Sequence, residues 1–213
     1  MKKYKFLRLV RGKIKSNSGN TIWKIGEWQE HDGSLEMCEA GFHCSKTPYQ
    51  AFSFVQGEIL AEVETKGEHL FDTDKEVWGK MRIVRAWKWQ KRDSVALSIY
   101  AAELVLDNYE KEYPNDLRPR QAIEAAKKVL FQDTPKNRSA ADSAADSAYS
   151  AADSAADSAA DSAAHSAYSA AYSAARSAYS AAHSAADSAA YSALVAKIAR
   201  WMINHLKELE NYD

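Results

Sequence analysis

Two cysteines and a histidine lie close together in the N-terminal part of the chain. Such side chains can bind a metal ion or act in nucleophilic catalysis. Cys38 and Cys44 are separated by five residues, and His43 directly precedes the second cysteine. This spacing is not that of a zinc site, and on a strand His43 and Cys44 would point to opposite faces. A cysteine nucleophile needs a base within hydrogen-bond reach, and the sequence fixes none. The pattern predicts buried, apolar cysteines and no metal or other cofactor.

A run of alternating aromatic and basic residues, Trp87 to Arg92, could serve nucleic-acid binding. Its rings could stack on bases while its cations neutralise phosphates. The same alternation is more typical of a strand with one solvated face, and the sequence contains no phosphate loop, zinc knuckle or helix-turn-helix signature. A formal net charge of −1 adds no general attraction to nucleic acid or to an acidic membrane. The sequence therefore disfavours direct nucleic-acid binding and membrane association.

The C-terminal part of the chain contains a regular repeat of alanine and serine. From Ser139 to Ser192 there are 54 residues, of which 25 are Ala and 15 are Ser. Serine recurs every four or three residues, close to the helical turn of about 3.6 residues. Alanine has the highest helix propensity, and no Gly or Pro follows Pro135. The repeat predicts helix, with an all-alanine stripe opposite a stripe of serine and variable residues.

The variable positions of this repeat form a face rich in aspartate and tyrosine. At protein interfaces aspartate supplies charge complementarity and tyrosine supplies contact area. Five of the aspartates could mimic a row of phosphates for a basic partner, whereas the alternative interpretation is a solvated helix face. The predicted binding residues are Asp142, Asp146, Tyr149, Asp153, Asp157, Asp161, Tyr168, Tyr172 and Tyr179.

Packing limits how the repeat can fold. As one helix it would be about 80 Å long and would bury almost nothing, although helices owe most of their stability to packing. We expect it to fold back into antiparallel helices, with self-association of the chain into a homo-oligomer through the alanine stripe as the alternative. The next stretch, Leu194 to Leu209, has ordinary core residues and is expected to close the bundle.

The elements before the repeat fall into two classes. Up to about Gln90, short β-rich runs alternate with turn signals, and Thr47 and Pro48 suit the start of a short helix. Ile59 to Thr65 has the alternation of a half-buried strand, with Ile, Ala and Val directed inward. Residues 93–132 predict two helices with a break at Pro114.

These patterns predict an α+β protein. A small mixed β-sheet N-terminal domain, residues 1–92, would be followed by an Ala/Ser-repeat α-helical bundle, residues 93–213. The bundle would comprise two helices over 93–132, the Ser-Ala-Ala-X repeat over 139–193 and a closing helix over 194–213. The charge is divided between the two parts, since residues 1–95 carry a net charge of +4 and residues 139–213 one of −5.

The helical part resembles a known family. The run Tyr113-Pro114-Asn115-Asp116, followed by RPRQAIEAA from Arg118 to Ala126, is similar to a signature of immunity proteins from bacterial polymorphic toxin systems. The resemblance covers residues 95–213, although only some of them carry the specific signature. It implies a helical protein that neutralises a toxin by binding it and not by catalysis.

The N-terminal part resembles an uncharacterised domain of phage and bacterial proteins. The shared residues are Glu36, Cys38, the GFHC motif from Gly41 to Cys44, Pro48, Ala51-Phe52 and the strand Ala61-Glu62-Val63-Glu64. This resemblance covers residues 1–90 and implies a phage or mobile-element origin.

A fainter similarity of the same region is to the ADP-ribosyltransferase-like fold. It implies that Arg11 holds a pyrophosphate through bidentate hydrogen bonds and that Ser45 positions a ribose. Glu62 or Glu64 would then stabilise an oxocarbenium-like state. The structural alternative is an arginine at a strand end, a helix-capping loop and two solvent-facing glutamates.

Taken together, the sequence predicts a non-enzymatic binding protein. We expect an immunity or counter-defence factor of a phage or mobile element that inhibits a toxin or a nucleic-acid-targeting defence system through protein–protein interaction. The alternative is an ADP-ribosyltransferase-like nucleotide-binding domain, active or degenerate, on a helical module. The basic N-terminus lacks the apolar core of a signal peptide because Arg8 and Arg11 interrupt it, so a cytoplasmic location is expected.

Overall fold

The computed structural model describes residues 2–150 and 174–212, with side chains described from residue 190 onward in the second range. The α+β prediction is confirmed: an antiparallel, nearly closed sheet over residues 3–88 is followed by a region with four helices in the described part of the chain. Contacts divide the chain into two compact units. The sheet unit is Met1–Lys91 together with Val195–Asp213, and the helical unit is Arg92–Leu194.

Seven strands and one short helix are found among the described residues before Trp89. The strands are β1 (Lys3–Val10), β2 (Lys13–Lys15), β3 (Ile22–Trp23), β4 (Gln29–Glu30), β5 (Phe42–Cys44), β6 (Ile59–Phe71) and β7 (Glu76–Lys88), with helix α1 (Pro48–Phe54) between β5 and β6. The strand order is β3-β2-β1-β6-β7-β4, and β5 also pairs with β7. All of these strand pairs are antiparallel.

Local sequence explains where α1 begins. The hydroxyl of Thr47 accepts the backbone N–H of Gln50, and the Gln50 side chain accepts the backbone N–H of Thr47. This reciprocal pair satisfies backbone donors that the first helical turn leaves free. Pro48 follows at the first turn, where it has no N–H to lose. The predicted helix start is confirmed.

The sheet bends until it nearly closes on itself. Strand β5 pairs with β7, and its next residue, Ser45, exchanges two backbone hydrogen bonds of 2.8 and 2.9 Å with Tyr4 of β1. Because β1 and β7 both pair with β6 through their other edges, these four strands form a ring. A second closure follows β3, where Ile25 bridges to Ile83 of β7.

The core lies inside this curved sheet. Its members are the buried apolar residues Leu7, Ile14, Trp23, Cys44, Ile59, Ala61, Val63, Met81, Ile83 and Ala86. The predicted inward positions of β6 are confirmed, since Ile59, Ala61 and Val63 are all buried. Leu60, expected to face outward, is also buried because it pairs with Phe6 and Trp87 on a second covered face.

Four further helices occur in the described residues: α2 (Lys91–Glu112), α3 (Arg118–Phe131), α4 (helical over residues 135–150) and α5 (Ala174–His205). The first two correspond to the helices predicted over 93–132. They pack through the buried residues Ile99, Leu106 and Ile123. Across the turn between them, Asp116 accepts hydrogen bonds from Tyr109 and Arg118, and the Arg118 guanidinium holds the pKa of Asp116 well below its usual range.

The C-terminal segment belongs to the sheet unit. The sequence grouped residues 194–213 with the bundle, but Val195–Asp213 forms one compact unit with the sheet. Glu210 and Tyr212 extend the free edge of β7 through backbone hydrogen bonds of 2.9 Å with Lys88 and Ala86. The hydroxyl of Tyr212 donates to the carbonyl of Gly12 at 2.7 Å. The C-terminal segment therefore packs within the sheet unit.

This arrangement predicts the cost of two neighbouring substitutions in α5. Met202 is fully buried, whereas Ile203 is 42% exposed. We expect Met202→Ala to lower the free energy of unfolding by about 2–5 kcal/mol through loss of burial and a residual cavity. Ile203→Ala should cost less than about 1 kcal/mol. Urea unfolding followed by tryptophan fluorescence measures both, because all six tryptophans lie in the sheet unit. Equal losses in the two variants would contradict the packing described.

Candidate functional site

A cleft of about 570 Å³ opens beside β1 and β5 in the sheet unit. Its walls are the start of β1, the loop over residues 16–21, the turn and strand over residues 38–45, the end of α1 and Lys75. A volume of this size is typical of small-ligand sites. The cleft exists because β5 joins β1 to β7 at this end of the sheet and leaves the flanking loops to enclose the space.

Lys5 is the side chain that gives this cleft its chemistry. Strand alternation places it on the same face of β1 as Leu7, which lies in the core. Its Nζ donates to the backbone carbonyl of His43 at 2.7 Å, and among the described residues it forms no ion pair. Burial lowers the pKa of Lys5 from 10.5 to about 8. This ammonium therefore lies in the cleft wall without a counter-charge.

Lys3, two residues earlier on the same face, is fully compensated. Its Nζ lies 2.5 Å from the carboxylate of Glu76 and 3.7 Å from the centre of the Trp78 ring. The indole N–H of Trp78 donates to the same carboxylate at 2.8 Å. Burial raises the pKa of Glu76, but the hydrogen bonds from Lys3 and Trp78 outweigh it and lower the pKa overall.

His43 holds the turn that forms one wall of the cleft. Its Nε2 accepts the backbone N–H of Cys38 at 2.8 Å, and its ring also interacts with the backbone of Gly41. Burial, assisted by the positive charge of Lys5, lowers the pKa of His43. A neutral ring occupied by two backbone partners serves to position the turn and has no free nitrogen for a metal. No cluster of three or more potential metal ligands occurs in the part of the chain that the structure describes.

The two cysteines differ in their surroundings. Cys44 is buried in the core, and burial raises the pKa of its thiol to about 12. This confirms the prediction for Cys44. The prediction that Cys38 is buried is wrong: it is exposed, because its left-handed backbone conformation (φ 70°) in the turn from Glu36 to Ala40 directs it away from the core. A hydrogen bond to Cys38 raises the pKa of Lys75.

The residues suggested by the ADP-ribosyltransferase-like similarity are only partly brought together. Ser45, which directly follows β5, and Glu62 of β6 pair with Tyr4 from opposite sides of β1. Ser45 is buried, and Glu62 lies 3.0 Å from Lys2. Arg11 lies in the turn after β1, seven residues beyond Tyr4, which is about 23 Å along an extended strand.

Glu64, the other glutamate suggested by that similarity, is engaged elsewhere. Its carboxylate forms an ion pair of 2.6 Å with Arg82 of β7. The aromatic residues of the basic run are also engaged in packing, since Trp87 and Trp89 are both buried. Lys88 between them forms an ion pair with Glu210. These two rings are not exposed for stacking on bases.

The predicted binding face of the repeat is described only in part. Asp142, Asp146 and Tyr149 are exposed on α4, where the predicted helix is confirmed. Asp153, Asp157, Asp161, Tyr168 and Tyr172 lie outside the described residues. Tyr179 lies in α5, but its side chain is outside the described part.

Comparison with known proteins adds a similarity for the sheet alone. Residues 4–92 match a family described as a domain of unknown function (DUF7666). No curated protein and no solved structure matches the chain. The matched region contains the cleft and all seven strands named above, except for Lys3, the first residue of β1. In the described residues, no helix is both long and apolar enough to cross a membrane.

Sequence reasoning missed Lys5, although a signal for it was present. Lys3, Lys5, Leu7 and Leu9 alternate along β1, so both lysines occupy the same face as core leucines. A lysine at an inward position of a strand is unusual because an enclosed charge needs compensation. What the sequence does not show is that only Lys3 receives a carboxylate, because Glu76 is distant in the chain.

The difference between the two lysines predicts substitutions of opposite sign. Because the pKa of Lys5 is depressed from 10.5 to about 8, the unfolded chain binds more protons between these values, and the cost of burying Lys5 is fully present below pH 8. Lys5→Met should raise the free energy of unfolding at pH 7 by about 1–3 kcal/mol. The gain should disappear by pH 10.5.

The matched variant is Lys3→Met, which leaves the buried Glu76 without its cation. We expect it to lower the free energy of unfolding by about 3–5 kcal/mol at pH 7. Urea unfolding at the two pH values measures both variants. If Lys5→Met destabilises the protein as much as Lys3→Met does, the lysine in the cleft is compensated and this description is wrong.

Proposed function

We propose that the chain is a non-enzymatic binding protein that docks a basic protein partner on the acidic face of its repeat. In this proposal it acts as an immunity or counter-defence factor, and the partner is a toxin or a nucleic-acid-targeting defence effector. The observation that supports the proposal best is the exposure of Asp142, Asp146 and Tyr149 on α4, where neither aspartate forms an ion pair with another described residue.

Within the described part of α4, no cation pairs with the two aspartates of this face. Asp142 and Asp146 are four residues apart and therefore neighbours on one helix face, where like charges destabilise an isolated helix. Neither forms an ion pair among the described residues, and the sequence has no Lys or Arg from residue 139 to residue 175. Arg138, the last cation before the repeat, pairs with Asp133. The carboxylates are thus left for solvent or for a partner.

An exposed aromatic residue accompanies these carboxylates. Tyr149 follows Asp146 by three residues, a spacing that places both on neighbouring positions of the helix surface. It is 74% exposed, so it buries little of its ring within the described structure. Tyrosine is enriched among the residues that contribute most to protein–protein binding. An aromatic anchor beside unpaired charge favours a protein partner over simple solvation.

The partner's chemistry follows from the sign and arrangement of the charge. A row of carboxylates along a helix presents the kind of charge that nucleic-acid-binding surfaces neutralise with lysine and arginine. A basic surface of this kind is what a nucleic-acid-targeting effector must expose to act. The resemblance of residues 95–213 to immunity proteins supports the same proposal of neutralisation by binding.

A charge-matched pair of variants tests this function. The full-length chain is used to capture proteins from bacterial lysate, alongside Asp142→Ser/Asp146→Ser and a control, Asp32→Ser/Glu68→Ser, that removes two exposed acids from the sheet unit. Serine is the repeat's own residue, so the helix should persist. We expect a basic protein to be retained by the native chain and the control, and at least about tenfold less by the repeat variant. Retention that is equal in all three proteins, or no retention, would rule the proposal out.

A further inference from the structure

The cleft beside β1 and β5 has the size and the lining of a ligand site. Its volume of about 570 Å³ suits a small molecule. Its lining combines polar backbone and side-chain groups with the rings of Phe42 and Phe54. Phe54 is 44% exposed at the rim, where the Lys75 ammonium lies 4.9 Å from the centre of its ring. Apolar surface is therefore available beside the polar groups of the lining. This combination is typical of sites that orient a ligand by one polar contact and bury its apolar body.

Lys5 supplies a charge that the protein itself does not neutralise. An ammonium has three N–H donors, and Lys5 directs one of them to the His43 carbonyl. Among the described residues it has no other hydrogen-bond partner and no ion pair. A partly buried cation in this state is costly, and departures of this kind occur most often at functional or strained sites. Burial lowers the pKa of Lys5, as expected for an ammonium that is removed from water.

Lys3 shows that the strand compensates a lysine where no ligand is needed. It lies on the same face of β1, and Glu76 and Trp78 surround it with a carboxylate and a ring. No carboxylate among the described residues pairs with Lys5 in this way. Glu39 is the acidic residue among the described residues that line the cleft, and its side chain is exposed. Lys75 adds a second cation to the lining. The cleft is therefore electropositive at its wall.

We propose that this cleft binds a small organic anion, with a carboxylate or phosphate group on Lys5 and an apolar body against Phe42 and Phe54. The bound anion supplies the counter-charge that Lys5 lacks. Carboxylate and phosphate share this chemistry, because both accept charge-assisted hydrogen bonds from an ammonium. The open rim at Phe54 gives such a molecule a path to the cleft.

Three probes with one common ring separate the possible ligands. Benzoate and phenyl phosphate carry the same apolar body with different anionic groups, and benzamide is a neutral analogue of benzoate. Each is titrated into the full-length protein while the backbone amides of residues 38–45 are followed by two-dimensional ¹H–¹⁵N NMR. We expect at least one anion to bind with Kd below about 1 mM and to shift these amides. Benzamide should bind at least tenfold more weakly.

Two variants, each of which removes one lysine charge, complete the test. Lys5→Met should weaken the binding of the anion at least tenfold, and it is expected to fold because it removes an uncompensated charge. Lys13→Met removes an exposed lysine of β2 outside the cleft and should leave Kd unchanged. Binding of benzamide as tight as that of the anions would overturn the proposal. So would unchanged affinity in Lys5→Met, or no shift of residues 38–45 with either anion.

Discussion

The closure of the sheet by β5 is the constraint on which the rest of the sheet unit depends. Ser45 and Tyr4 exchange both backbone hydrogen bonds, while β5 pairs with β7 on its other side. Without this strand, β1 and β7 would present unpaired edges to solvent, which is a common site of unwanted association. The same pairing turns the inward faces of β1, β6 and β7 toward one another and so creates a core.

Two glycines allow the chain to approach closely enough for this closure. Gly41, just before β5, has φ +105°, and a Cβ there would lie 2.6 Å from a methyl group of Val77. At Gly57, before β6, a Cβ would lie 2.3 Å from the carbonyl oxygen of Leu7. Side chains at these positions would push β5 and β6 away from their neighbours. Closure of the sheet therefore depends on the lack of a side chain at Gly41 and Gly57 as well as on the hydrogen bonds.

Closure also explains why charge is enclosed at one end of β1. A strand with a period of two directs Lys3, Lys5, Leu7 and Leu9 into the same interior. The leucines lie where the sheet is filled by core residues, whereas the lysines lie where β5 crosses from β7 to β1. Glu76 compensates Lys3 there, but the backbone carbonyl of His43 is all that Lys5 receives from the described residues. Keeping the Lys5 ammonium at this position lowers the stability of the protein but leaves a polar group inside the cleft.

The features that the sequence predicts correctly are those set by neighbouring residues. The start of α1 follows from Thr47 and Pro48, and the inward positions of β6 follow from its alternation. The position of β5 could not be predicted, since a strand of three residues has little pattern and its partners, Tyr4 and Trp78, are distant in sequence. The exposure of Cys38 depends on a left-handed turn residue, which no pattern around it signals.

The C-terminal segment shows the limit of apolar patterns most clearly. Ile198, Met202 and Leu206 have helical spacing and are buried, as their types require. An amphipathic face indicates that a helix packs against another element, but it does not indicate whether that element is a helix or a sheet. Here the tail after α5 decides, because Tyr212 bonds to Ala86 and Gly12, and no local rule predicts either contact.

The boundary between the two units falls within helix α5. In sequence, the first part of this helix consists of the alanine and serine repeat, and these residue types carry little apolar area. From Leu194 onward the residues become large and apolar, and this change coincides with the boundary between the units at Val195. Burial follows the same change, since residues 190–192 are exposed while Ile198, Ala199 and Met202 are buried. Because packing supplies most of the stability of a helix, these buried apolar residues stabilise the last turns of α5 within the sheet unit.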